Sequence, residues 1–156
     1  MTTSAAYILP GLPDTKPQAI EYTADMISTS VCAIYNLIGT GPLNRDKVLV
    51  DHSDLRKKRR LYEHIECKRI TLILIRNLMD ESWERLAGRY MLDHCTGLHH
   101  ERKMAQFIDF DKKYAAMIRF ILDDLNVTWS LRLDMCSTLA GSINKVWLRN
   151  FNEFLS

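Results

Sequence analysis

The chain is short of the features that announce chemistry. Its four cysteines, Cys32, Cys67, Cys95 and Cys136, form no CxxC pair, which sets aside a disulfide framework and points to reduced thiols in a cytosolic or nuclear setting. Glycine and proline are scarce, six and four residues, and no glycine-rich phosphate loop occurs. Gly39-Thr40-Gly41-Pro42 lacks the following lysine and helix pattern that such a loop needs. No nucleophile-elbow motif is present. The N-terminus lacks the basic region and long apolar core of a secretory signal. The longest apolar stretch, Ile70 to Ile75, is interrupted by Thr71 and falls far short of the roughly 20 residues that span a bilayer. No internal repeat and no low-complexity segment is found.

What is present is an ordinary globular composition. Of 156 residues, 47% are hydrophobic and 26% charged, enough for one domain with its own core. Net charge is only +2, but it is unevenly spread. Residues 45–76 hold ten Lys/Arg against five acids, a local +5 that leaves −3 for the rest. Such asymmetry fits one basic surface facing an anionic partner.

Apolar periodicity and caps predict a compact all-α domain of eight or nine short helices, with an extended arm over 1–16 and two linked helical halves, 17–80 and 81–156. Thr15 and Gln18 have capping-box spacing around Pro17, opening a helix to about Ile27. Ser28-Thr29-Ser30 reads as a turn, and a short helix then runs to Ile38, where Gly39, Gly41 and Pro42 stop it. A further short helix is expected from Asn44 to Val50. Ser53 or Asp54 caps the next, which carries the basic run to about Cys67. The segment from Ile70 to Met79 is apolar on nearly every side and reads as a buried helix, with a strand as the alternative. Trp83, Leu86, Ala87, Tyr90 and Met91 form a stripe on a helix that Gly97 ends. Another helix covers Leu98 to Ile108. Asp109 or Asp111 caps a helix with Tyr114, Met117, Ile118, Ile121, Leu122 and Leu125 on one face, ended by Asn126. Ile143, Val146, Trp147, Phe151 and Phe154 fall in helical register near the end, with Gly141 as a break.

The strongest functional feature is Arg56-Lys57-Lys58-Arg59-Arg60. At about 100° per residue, five helical positions sweep more than one turn. With Leu55, Tyr62 and Ile65 turned inward, most of the five project into solvent. Such a cluster, extended by Lys68 and Arg69, binds phosphates by charge without reading sequence, suits an anionic membrane surface, or serves nuclear import. The bland alternative is a solvated charged face. The acids Asp80, Glu81, Glu84, Asp123 and Asp124 are candidates for an opposing surface through which copies stack head to tail. His64, Cys67, His94, Cys95, His99 and His100 have spacings that fit no standard zinc pattern, so no metal and no cofactor is expected. Trp83, Trp129 and Trp147 read as core anchors rather than a ligand cage. Residues from Arg102 to Leu125 have the outline of a helix-turn-helix, but the junction lacks glycine and the second helix ends in acids.

Four segments carry a family resemblance. They are Tyr7-Ile8-Leu9-Pro10 with Pro17 and Ala19-Ile20; Asn36 to Leu43; the basic stretch from Leu55 to Tyr62; and Glu101 to Met104 followed by Phe107 to Phe110, Ala115 to Asn126 and Leu133 to Lys145. In order and spacing these resemble the N-terminal domain of an orthomyxovirus matrix protein, the family of influenza viruses and tick-borne thogotoviruses. Two features depart from its influenza members: the Arg102-Lys103 cluster is weak, and only Cys136 stands where they have a Cys/His pattern. The resemblance implies a non-enzymatic structural protein of the virion. It would assemble with itself beneath the envelope, bind anionic membrane lipids through a basic face and contact viral ribonucleoprotein or RNA, with host cytoplasm, nucleus and plasma membrane as its locations. Without the resemblance, the alternative is a nucleic-acid-binding helical transcription regulator.

Overall fold

The structure, a computed structural model, describes residues 20–38, 49–56 and 62–155. The expected arm over 1–16, the Thr15 cap, the Gly39–Pro42 stop, most of the helix expected from Asn44, and Lys57, Lys58, Arg59 and Arg60 lie outside the described residues. Among those described, the chain is all-α and without strands. Seven α-helices follow in order: α1 Ala24–Ile38, α2 Tyr62–Leu78, α3 Trp83–Tyr90, α4 His94–Phe110, α5 Lys112–Asp124, α6 Trp129–Ser142 and α7 Phe151–Leu155. A 3₁₀ turn, His52–Arg56, precedes α2.

The helix α2 is the centre of the fold. It packs against α1, α3, α4, α6 and the 3₁₀ turn, so it has no solvent stripe to keep polar, and every residue from Arg69 to Ile75 is buried. The choice of helix over strand for Ile70 to Met79 is borne out. Full burial of each of its aliphatic side chains is favourable by about 1.5–3 kcal/mol. One apolar core draws on both halves of the chain, from Ile27 and Tyr35 on α1 through Met104 and Ile118 to Leu139 and Leu148.

Several boundaries differ from the sequence reading, each for a local reason. No turn interrupts α1 at Ser28-Thr29-Ser30. Ser28 Oγ donates to the Asp25 carbonyl and Ser30 Oγ to Asp124 Oδ2 at 2.7 Å, so these hydroxyls are satisfied inside a helix. No break falls between Cys67 and Ile70: residues 62–67, expected to end the basic-run helix, and the apolar segment are continuous in α2. Gly97 does not end a helix. It lies inside α4, where a Cβ would sit 2.7 Å from Trp83 Cδ2, so its lack of a side chain admits the indole. The stop for α3 is Met91, in the left-handed region at φ 56°, with Leu92 N–H closing onto the Ala87 carbonyl. Of the two proposed caps for α5, Asp111 is the one used: its Oδ1 accepts from Lys113 N–H and Tyr114 N–H. The stripe on α5 is buried as expected, from Tyr114 through Leu122.

The last stretch is the largest departure. The sequence register predicts a helix through Val146 and Trp147, but α6 stops at Ser142. Asn144 takes φ 58° and Lys145 N–H returns to the Ala140 carbonyl. Residues 143–150 then form a loop leading to α7. Of the three tryptophans only Trp83 is a core anchor, at 3% exposure. Trp129 and Trp147 are 62% and 51% exposed, contrary to their expected role.

Candidate anion-binding site

Among the described residues of the basic region 45–76, the fold separates exposed from buried cations. Leu55, fully buried, fixes the 3₁₀ turn to the core, and Asp54 lies 3.5 Å from His64 Nε2 on α2. The turn therefore delivers Arg56 at the surface. Its guanidinium lies 5.9 Å from the centre of the Tyr90 ring and 3.9 Å from Asp25, an exposed pairing worth little. Lys68 is half-buried on α2, and burial lowers its pKa.

Arg69 corrects the sequence reading. It faces inward at 8% exposure, with Nη1 on Glu66 Oε2 at 2.5 Å, Nε donating to His100 Nδ1 at 3.2 Å, and its guanidinium over the Phe107 ring. It serves the interior and offers nothing to an external phosphate. Arg76 is likewise engaged, donating to the Glu81 carbonyl and lying over Trp83.

The cluster around Arg69 is a buried polar site that the sequence reading missed. Glu66 is fully buried, and burial raises its pKa against the lowering effect of Arg69. The Tyr62 phenol is pushed up to about 12, first by burial and then by the Glu66 charge. The Tyr114 phenol, also raised by burial, faces the same carboxylate without good hydrogen-bond geometry, and Glu66 Oε1 lacks such a bond too. Burial, with the positive charge of Arg69 next, holds His100 down to about 4, so it is neutral and able to accept from Arg69. The one signal in the sequence was the Glu66–Arg69 spacing of three, which places both on one helix face. Glu66, Arg69, His100 and the Tyr114 phenol are closed in by α2, α4 and α5, and only Tyr62 reaches the surface. Surface hollows of about 610 Å³ beside Gly88 and Met91, and about 500 Å³ beside Met26 and Ala33, share none of these residues.

The candidate assembly acids are also unequal. Asp80 and Glu84 are exposed. Glu81 is committed to the fold, its carboxylate paired with Arg89 at 3.1 Å, which corrects its place in a free acidic patch. Asp123 pairs with the buried Arg132 at 2.8 Å, and Asp124 accepts from Ser30 and ties α5 to α1. Both remain solvent-accessible.

The Cys/His residues do not converge: among the described residues no group of three or more His, Cys, Asp or Glu could hold a metal ion. His64, Cys67 and His100 are buried, whereas Cys95 and His99 are exposed. The helix-turn-helix outline resolves into α4 and α5 joined through Asp111 alone, with α5 burying its apolar face. No described helix is long and apolar enough to cross a membrane. No protein-family model, curated protein or solved structure matches the chain.

Proposed function

We propose that this chain is a matrix-type structural domain of a virion, without enzymatic activity, that binds an anionic membrane, contacts ribonucleoprotein or RNA and assembles with copies of itself. The observation that carries the reading is the run of five cations at residues 56–60, in a chain whose remaining charges nearly balance. Its first member, Arg56, is held at the surface by the buried Leu55. Five adjacent cations repel one another, and a phosphate-rich surface relieves that repulsion. The resemblance to orthomyxovirus matrix proteins supports the same reading, and with it a location beneath the viral envelope and at the plasma membrane.

Vesicle flotation tests it. The protein should float with phosphatidylserine vesicles, ignore neutral ones, and lose most binding at high salt. Replacing Arg56, Lys57, Arg59 and Arg60 with serine removes about 1 kcal/mol of attraction each, so binding should fall by at least about a hundredfold in a folded protein. Undiminished, salt-sensitive binding by that variant would refute the assignment of the site. Selection of one DNA sequence, with no affinity for vesicles, would favour a regulator instead.

A further inference from the structure

The carboxylate of Asp109, at the C-terminal end of α4, is nearly buried and holds a loop 36 to 40 residues away. Its Oδ2 takes Lys145 Nζ at 2.6 Å and its Oδ1 takes the Arg149 backbone N–H at 2.7 Å. Asn150 Nδ2 donates to the Ile108 carbonyl at 2.8 Å. Between these anchors Leu148 is buried at 2% exposure, whereas Val146 is 81% exposed and Trp147 51%. The Trp147 ring leans on Phe151, with centroids 4.4 Å apart. Phe110, the residue after Asp109, is 62% exposed.

Single exposed apolar side chains are common and need no explanation. Here, however, an internal carboxylate, a buried leucine and a ring contact all fix a loop in which two adjacent residues, Val146 and Trp147, are large, apolar and in solvent. The ordering cost of presenting them is already met by the fold. The charges nearby choose the partner. Asp109 is satisfied by the loop, Asp111 caps α5, and Glu153 lies 3.7 Å from Lys112. Lys145, its side chain still 45% exposed despite the Asp109 pair, and the exposed Arg149 flank the tip in the chain. An indole and a branched aliphatic side chain flanked by cations match the boundary between anionic headgroups and acyl chains, where tryptophan is enriched and basic residues meet phosphate.

We propose that the 145–150 loop is a membrane-inserting tip, in which Val146 and Trp147 enter the interfacial region of an anionic bilayer while the flanking Lys145 and Arg149 engage its headgroups. The proposal rests on the membrane-binding reading above and adds an apolar element to it. The tip belongs to a different part of the molecule from the turn that carries Arg56. The 3₁₀ turn packs on α1, α2 and α3, whereas α7, which follows the tip, packs on α4, α5 and α6.

The test uses the full chain carrying W129F, so that Trp147 is the one exposed tryptophan beside the buried Trp83. Phosphatidylserine–phosphatidylcholine vesicles should shift its emission to the blue, and acyl-chain-brominated lipids should quench it. The V146S/W147S variant should bind the same vesicles about tenfold or more weakly, the loss expected from two partly inserted apolar side chains. The wild-type advantage should persist at salt concentrations that abolish binding through the basic run. If the protein binds no vesicles, the membrane reading itself fails. If it binds them but Trp147 is neither shifted nor quenched and V146S/W147S binds equally well, the tip proposal alone is overturned. Loss of concentration-dependent self-association in V146S/W147S, with vesicle binding intact, would overturn it in favour of a contact between copies.

Discussion

The α2 interior and the loop before α7 invert the usual placement of residue types. In α2, Glu66 and Arg69 lie inside the core with His100 against them. In the loop, Val146 and Trp147 stand in solvent while the Asp109 carboxylate beneath them is nearly buried. The comparison shows that partners decide burial more than side-chain class does. Arg69 is tolerated inside because a carboxylate, an imidazole nitrogen and an aromatic face all meet it. Trp147 stays outside because Asp109 grips the chain on either side of it and Leu148 takes the inward position.

The interior should be the more fragile side of this comparison. Arg69→Met leaves the Glu66 carboxylate buried without its partner, and stability should fall by about 3–5 kcal/mol in urea unfolding. Glu66→Met with Arg69→Met should recover much of that loss, since a matched apolar pair removes the desolvation cost. If the single variant is as stable as the parent, the cluster contributes nothing to the fold.

Acid should weaken the same region. The neutral His100 has its proton affinity depressed to about 4 from an ordinary 6.5, chiefly by burial. Between those pH values the unfolded chain holds a proton that the folded one does not. The contribution of His100 is therefore complete above pH 6.5 and is lost as the pH falls toward 4, by about 2–3 kcal/mol. Glu66, with its pKa raised, acts in the opposite sense above its ordinary value. The difference between the parent and His100→Gln isolates the histidine, because glutamine can still accept from Arg69. Parallel stability curves for the two proteins between pH 7 and 4.5 would rule this out.

On the loop side, Asp109→Ala removes the Lys145 ion pair and the acceptor for Arg149 N–H. A loss of about 1–2 kcal/mol is expected, with faster amide exchange concentrated at Arg149. Exchange that is unchanged there would mean that the loop is held by Leu148 and Asn150 alone.

The smallest effect should come from the tip itself. Val146→Ser with Trp147→Ser should cost about 1 kcal/mol or less, most of it from the lost contact with Phe151. Trp83→Ala, the same residue type inside, should cost about 3–5 kcal/mol. Similar losses at the two tryptophans would erase the contrast on which the comparison rests.

Legibility in the sequence followed range. Signals confined to a few residues read correctly: the buried stripe of α5 and the apolar centre of α2, with the cap of α5 narrowed to Asp109 or Asp111. Gly97 misled because a glycine reads as a stop when its neighbours in space are unknown, and here its neighbour is Trp83. The register that joined Val146 and Trp147 to Phe151 was real as spacing, but Asn144 and the pull of Asp109 broke it. Of the candidate anion-binding residues, Arg56 is exposed and Lys68 half-buried, whereas Arg69 turned inward.

That the chain is helical, that one stretch is strongly basic and that Ile70 to Met79 is an apolar, buried segment could be read without the fold, because periodicity, local charge and apolar content are written within single segments. Which charges are inside and which aromatic rings are outside was decided only by tertiary structure. Arg69 meets His100 from 31 residues away and Asp109 meets Arg149 from 40. The free energy of burying a charge or exposing a ring depends on those distant partners, and no segment carries it alone.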